Sequence, residues 1–174
     1  MGMTAMSLAP TLTTVEDLYR KLERESRRTF GSTDPVDKAD HFFNFCVTAS
    51  AMRDYALEHL GKIQREDKQP FFDEWNASPS LVAAHEIANI SKHFVLRDPR
   101  NKSVKSAKTR DVLHHNATFV DVYEDNDGRH HWAEAEYPTI SVVLSDGKTM
   151  QLHDFTRAVI EYWRTFLVKH AVRI

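Results

Sequence analysis

Arginine within one helical segment of a titratable histidine is the pairing in this chain best suited to chemistry. In the stretch DHFFNFCVTASAMRDYALEHL, from Asp40 to Leu60, Arg53 and Asp54 are followed by His59. A histidine can handle a proton near neutral pH, and an arginine can stabilise phosphate charge. Arg110 and His115 make a second arginine–histidine pair, one residue closer in sequence. A second constellation is a polar stripe. His85, Asn89 and His93 recur every four residues and so line one helix face, with Lys92 between that stripe and an apolar seam. A third is the segment RDPRNKSVKSAKTR, residues 97–110, which carries six basic residues and one acid. Arg100, Lys102, Lys105, Lys108 and Arg110 would contact phosphates in one reading; in the other the segment is a solvated, mobile connection.

Other chemistries are excluded. Five glycines, mostly at turns, cannot build a phosphate-cradling loop, and neither G-x-S-x-G nor H-E-x-x-H occurs. The chain has ten histidines, but His114-His115 and His130-His131 open two antiparallel strands whose starts lie at opposite ends of the ladder. His85 and His93 stand roughly 12 Å apart along a helix, too far to share one ion unaided. No metal and no cofactor is therefore expected. The single cysteine, Cys46, rules out an intrachain disulfide and any multi-thiolate zinc site, and its place on an apolar arc marks it as a core residue. A net charge of −2 opposes a global electrostatic grip on nucleic acid, leaving local patches open. No apolar run is long enough to span a membrane, and the start MGMTAMSLAP lacks a signal-peptide pattern, so a reducing, cytoplasmic setting is expected.

The elements that must position these groups follow from periodicity and caps. At 100° per residue from Phe42, the side chains Phe45, Cys46, Ala49, Met52, Ala56, Leu57 and Leu60 fall within about 140° of arc. Arg53 falls inside that arc. A guanidinium aimed into a core needs a partner, so Arg53 is either a structural tie or part of a site. Residues 1–12 read as a flexible tail and 13–174 as one domain. Thr13 to Glu16 reads as a capping box opening a helix with Val15, Leu18, Tyr19, Leu22 and Ser26 inside. Asp34-Pro35 opens the helix that runs to Gly61, and Phe71, Phe72 and Trp75 form a one-turn aromatic anchor. Ser78-Pro79 starts the helix bearing the His85, Asn89 and His93 stripe, which Asp98-Pro99 breaks. The period then changes to two: HNATFVDVY and HHWAEAEYPTISVVL are strands joined at an Asp-Gly turn, and TMQL is a third. Asp154 caps a last helix with Phe155, Val159, Tyr162, Trp163, Phe166 and His170 along one stripe. The expected fold is α+β: a bundle of three to four helices with a small antiparallel meander before the C-terminal helix.

The arginine, polar residue and histidine of Arg53, Asp54 and His59 resemble the pattern of HEPN-like domains. These are small helical bundles of toxins, abortive-infection proteins and RNA-cleaving defence factors. The phrase EIANISKHF, late in a helix that follows an MRD-bearing one, also looks like bacterial and phage proteins allied to that group; the resemblance covers roughly residues 35–96. It implies a metal-independent endoribonuclease or RNA-binding domain. Histidine and arginine would assist attack of a ribose 2′-hydroxyl on the adjacent phosphate. Arg53 with His59, or Arg53 with Lys92 and His93, would be catalytic. Asp54, His85, Asn89 and the basic residues of 97–110 would bind the ligand. RNase members of the family assemble the site across a homodimer, which would make RNA and a second copy the partners. The strand meander is not part of a minimal HEPN bundle. Two rival readings come from the residues alone: a non-catalytic protein-interaction module in which Arg53, Asn89 and His93 are structural polar ties, and a small-ligand pocket lined by the same three side chains.

Overall fold

The computed structural model describes residues 11–90, 112–144 and 146–174, in the order α1 (Val15–Gly31), α2 (Pro35–His59), α3 (Arg65–Asn76), α4 (Pro79–Ile90), β1 (Val112–Glu124), β2 (His130–Val143), β3 (Thr149–Gln151) and α5 (Leu152–Lys169). The strands form one antiparallel sheet in the order β1-β2-β3, a meander placed before the last helix. The architecture is α+β, as expected. Among the described residues no helix is long and apolar enough to cross a membrane.

The focal helix α2 is the hub of the core. Phe42, Phe45, Cys46, Ala49, Met52, Ala56 and Leu57 are buried on it, so the arc drawn from periodicity is the packed one. Phe42 and Phe45 meet Phe155 of α5, with ring centroids 5.8 and 6.4 Å apart. From α5, Trp163 and Phe166 pack on Trp75 of α3 at 5.5 and 5.6 Å. Such offset aromatic pairs add to the area they bury. Asp34 caps α2 through bonds from Val36 and Asp37 N–H, with Pro35 at the first helical position.

Four expectations shift. The capping box of α1 is Thr14 with Asp17, one residue later than Thr13 with Glu16: Asp17 N–H donates to Thr14 Oγ1, and Asp17 Oδ2 accepts from Thr14 N–H, both at 3.1 Å. Asp17 also takes bonds from Thr13, whose N–H and hydroxyl hold its carboxyl below the usual range. Leu12, assigned to the tail by the sequence, packs on the core instead, and its carbonyl accepts from Tyr55 Oη at 3.1 Å. The aromatic anchor is a 12-residue helix rather than one turn. Pro70 inside it removes one backbone bond, but burying Trp75 and half-burying Phe71 and Phe72 outweighs that loss. Finally, α5 begins at Leu152 with Gln151 as its uncapped N-terminal residue, so Asp154 lies in the first turn, bonded to Arg157 at 3.2 Å. Gln151 fixes that junction, since its Oε1 accepts from Ser141 Oγ at 2.9 Å within the β2–β3 ladder.

Candidate functional site

Arg53 is 8% exposed, the buried cation its helical position implied. Its partners come from α3 and α5. Nη1 donates to Asn76 Oδ1 at 3.5 Å, and the guanidinium carbon sits 5.9 Å from the Trp75 ring centroid. Nη2 is buried with no hydrogen-bond partner. Burial pushes the guanidinium pKa down, opposed by Tyr162 and Asp54. Tyr162 in turn donates to Glu74 O at 3.4 Å, and its phenol is pushed up to about 12, chiefly by burial. Arg53 thus joins α2 to α3 and α5 from inside a wall of aromatic rings.

The polar stripe of α4 meets α2 at a different residue. His85 Nδ1 bonds Ser50 Oγ at 2.8 Å and His85 Nε2 bonds Asn89 Nδ2 at 2.9 Å, with Asn89 the donor in that pair. Asn89 therefore faces Ser50 through His85, and Arg53 takes Asn76 instead. The pocket expected from Arg53, Asn89 and His93 together is not assembled by Arg53 and Asn89. Ser50 was missed because it lies on the flank of the arc, where a small hydroxyl leaves no mark in an apolar pattern. His59 is exposed at the last residue of α2, and Asp54 is exposed on the wet face. Six helical residues separate Arg53 from His59, about 9 Å of rise, with one buried and the other in water. Lys92, His93, Arg100, Lys102, Lys105, Lys108 and Arg110 lie outside the described residues, as does the rest of segment 97–110. His115, the described half of the second arginine–histidine spacing, is exposed on β1.

A second buried charge escaped the sequence reading. Glu25 of α1 is 3% exposed, on the stripe that holds Leu18 and Leu22. Arg28 Nη1 and Lys21 Nζ reach its Oε1 at 2.9 and 3.3 Å, and His41 Nδ1 of α2 stands 3.5 Å from Oε2. Lys21 also donates to Thr48 Oγ1 of α2 at 2.7 Å. This cluster closes the α1–α2 seam with partners from both helices, as a buried carboxylate requires. Glu25 sits seven residues past Leu18, so periodicity alone could have found it. Among the described residues no group of three His, Cys, Asp or Glu side chains is placed to hold a metal ion.

The meander is larger than its sequence suggested, and its outer part is mostly exposed. β1 and β2 pair over all 13 residues of β1, from Val112 opposite Val142 to Glu124 opposite His130. At about 3.4 Å per residue the ribbon is about 44 Å long. Its inner end is anchored: Ile140 and Val142 are buried in the core, and Thr139 and Ser141 are buried on the other face. β3 supports only Ser141–Val143, so from Pro138 outward the arm has two strands. That placement leaves one side of Pro138 without a strand, where a residue lacking N–H is tolerated, and β2 continues through it. The tip is a tight loop in which Asp125 Oδ1 accepts from Asp127 and Arg129 N–H and Asp125 Oδ2 bonds His131 Nε2 at 2.7 Å. Gly128 takes φ 77°, a left-handed value open to glycine.

Along this arm Val120, Val122, Tyr123 and Trp132 are exposed, Val122 at 69% and Trp132 at 72%. Val122 and Trp132 are register partners and share a face. On the opposite face Tyr137 Oη donates to Asp121 Oδ2 at 2.5 Å, which raises the phenol pKa, and Phe119 packs on Tyr137 at 6.0 Å. That face borders a groove of about 530 Å³ whose far wall includes Phe30, Lys38 and His153. Lys38 is tied there, donating to Thr29 O at 2.7 Å and Phe30 O at 3.3 Å across the end of α1. The expectation that His114-His115 and His130-His131 occupy opposite ends holds in the register, where His115 faces Thr139 and His131 faces Tyr123. Compared with known proteins, the chain matches no family model, no curated protein and no solved structure.

Proposed function

We propose that the chain is a non-catalytic protein-interaction domain, with the helical body as base and the β1–β2 arm as the contact element. The arm's exposure carries this reading: a ribbon of 13 pairs presents Val122 and Trp132 together to solvent, while the outer edge of β1 carries no strand among the described residues. A two-stranded ribbon without a packed layer is marginal in water, and exposed apolar patches mark places where proteins meet. The arm's charge favours a protein over a nucleic acid. Residues 112–136 hold six carboxylates and one arginine, which repels a phosphate backbone. Arg53 and His85 then act as ties inside the body, consistent with their partners Asn76 and Ser50 on neighbouring helices, while Asn89 braces His85 from the same helix. The RNA-cleaving reading rests on Arg53, His59, Lys92 and His93. Of these, the two described residues share no partner.

The test is a photo-crosslinking amino acid placed singly at Val122, at Trp132 or at Ile63, an exposed position on the body. Illumination in the cells that produce the protein is expected to give discrete protein adducts from the two arm positions and none from Ile63. The same adducts from all three positions, or none from the arm, would remove this reading.

A further inference from the structure

The edge of β1 that carries no strand among the described residues has a sequence that complements itself when reversed. Its first half carries His114 and His115, and its second half carries Asp121 and Glu124. In an antiparallel pair directly opposed residues share a face, and a two-fold axis normal to the sheet preserves that sameness. The longest self-ladder the strand allows is centred on its midpoint, Thr118, and runs over all of Val112–Glu124. In that register His115 lies opposite Asp121 and Leu113 opposite Tyr123, each twice by symmetry. No carboxylate meets a carboxylate, and the acidic tips fall at opposite ends of the assembly.

We propose that β1 pairs with β1 of a second copy across a two-fold axis at Thr118, joining the two sheets into one in the order β3-β2-β1-β1-β2-β3. The inference rests on the interaction reading above and names its partner. Pairing supplies what the arm lacks. Along the outer arm it turns two strands into four, past the three that independent stability requires, and covers the open edge. It also covers Leu113 and Tyr123, now 44% and 56% exposed, against each other. Val120 and Val122 of both copies lie on the same face of the joined sheet, to either side of the axis. The basic-capable half of one strand lies along the acidic half of the other, which selects the antiparallel register over a parallel one. In a parallel pairing His115 would face His115 and Asp121 would face Asp121.

Sedimentation velocity on the full chain, from about 1 to 100 μM, reads the association directly. The wild type is expected to be a reversible dimer. Successive N–H groups of a strand point to alternate sides, so one of Thr118→Pro and Phe119→Pro removes an outward donor at the axis. That variant should be monomeric while the body keeps its helical circular dichroism and melting temperature. His115→Asp sets carboxylates against each other twice and should weaken the dimer by about tenfold. His115→Asp with Asp121→His restores the opposition and should recover most of it. A wild type monomeric through the range overturns the proposal, as does a dimer that survives both proline variants or a double variant that recovers nothing. A monomer whose Val122 and Trp132 positions still crosslink to a different protein would sink self-pairing alone and leave the interaction reading standing. Loss of those adducts would remove both.

Discussion

Replacing Arg53 by methionine and by alanine separates what its stem does from what its charge does. The guanidinium is buried, its one hydrogen bond to Asn76 is long at 3.5 Å, and Nη2 has no partner. A weak bond contributes about 0.5 kcal/mol and a desolvated contact with Trp75 about 1 to 2 kcal/mol. Against this stands the cost of an unsatisfied buried donor, about 1 to 3 kcal/mol. These terms nearly cancel, so Arg53→Met, which keeps the volume against Trp75, should change stability by less than about 1 kcal/mol. Arg53→Ala also deletes the stem beyond Cβ, whose two methylenes are worth about 1.6 kcal/mol, and leaves a void that adds to the loss. It should cost about 2.5 kcal/mol, a fall in melting temperature of about 5 to 10 °C for a chain of this size. Calorimetry with urea unfolding at constant pH measures both. If methionine costs as much as alanine, the guanidinium has a strong partner and its role as a weakly satisfied tie is wrong. Because the methionine variant stays folded, it also isolates chemistry from stability. A labelled RNA incubated without metal should be left intact by wild type and Arg53→Met alike. Cleavage by wild type alone would refute the structural assignment and revive the ribonuclease reading.

Two further outcomes follow from caps and buried phenols. Thr14→Ala removes the cap bond to Asp17 N–H and should cost about 1 kcal/mol in a thermal melt, whereas Thr13→Ala should cost less; the reverse order would move the box back to Thr13 and Glu16. Burial pushes the phenols of Tyr19 and Tyr162 up to about 12, with Glu23 and Glu74 as second causes. A raised folded pKa means the folded state holds its protons longer, so stability present below pH 10 is lost as pH rises through 10 to 12. Ultraviolet titration of the five tyrosines should show two ionising near pH 12, and Tyr19→Phe with Tyr162→Phe should flatten the alkaline loss of stability. An unchanged slope in the double variant would contradict the assignment.

Local rules sufficed for much of this fold. The period of 3.6 in α2 placed Phe45, Cys46, Met52 and Arg53 inside, because a helix that must bury one face repeats its apolar residues at that spacing. The change of period to two and the Asp-Gly turn located β1 and β2, and the antiparallel rule kept the two histidine pairs apart. Pairings between elements were beyond those rules. Arg53 was legible as a buried cation, but its choice of Asn76 and Trp75 over Asn89 depends on how α3 and α4 approach α2. Periodicity assigns a residue to a face and leaves open which neighbour covers that face. The α3 segment read as a one-turn anchor, because the burial of Trp75 that sustains a 12-residue helix through Pro70 comes from α5. The alternation of residues marked the two strands of the arm, with the first read three residues short at its start and one at its end. That its outer half has only two strands was decided by β3, whose three residues and continuation into α5 give β2 no strand partner outward of Ser141 among the described residues.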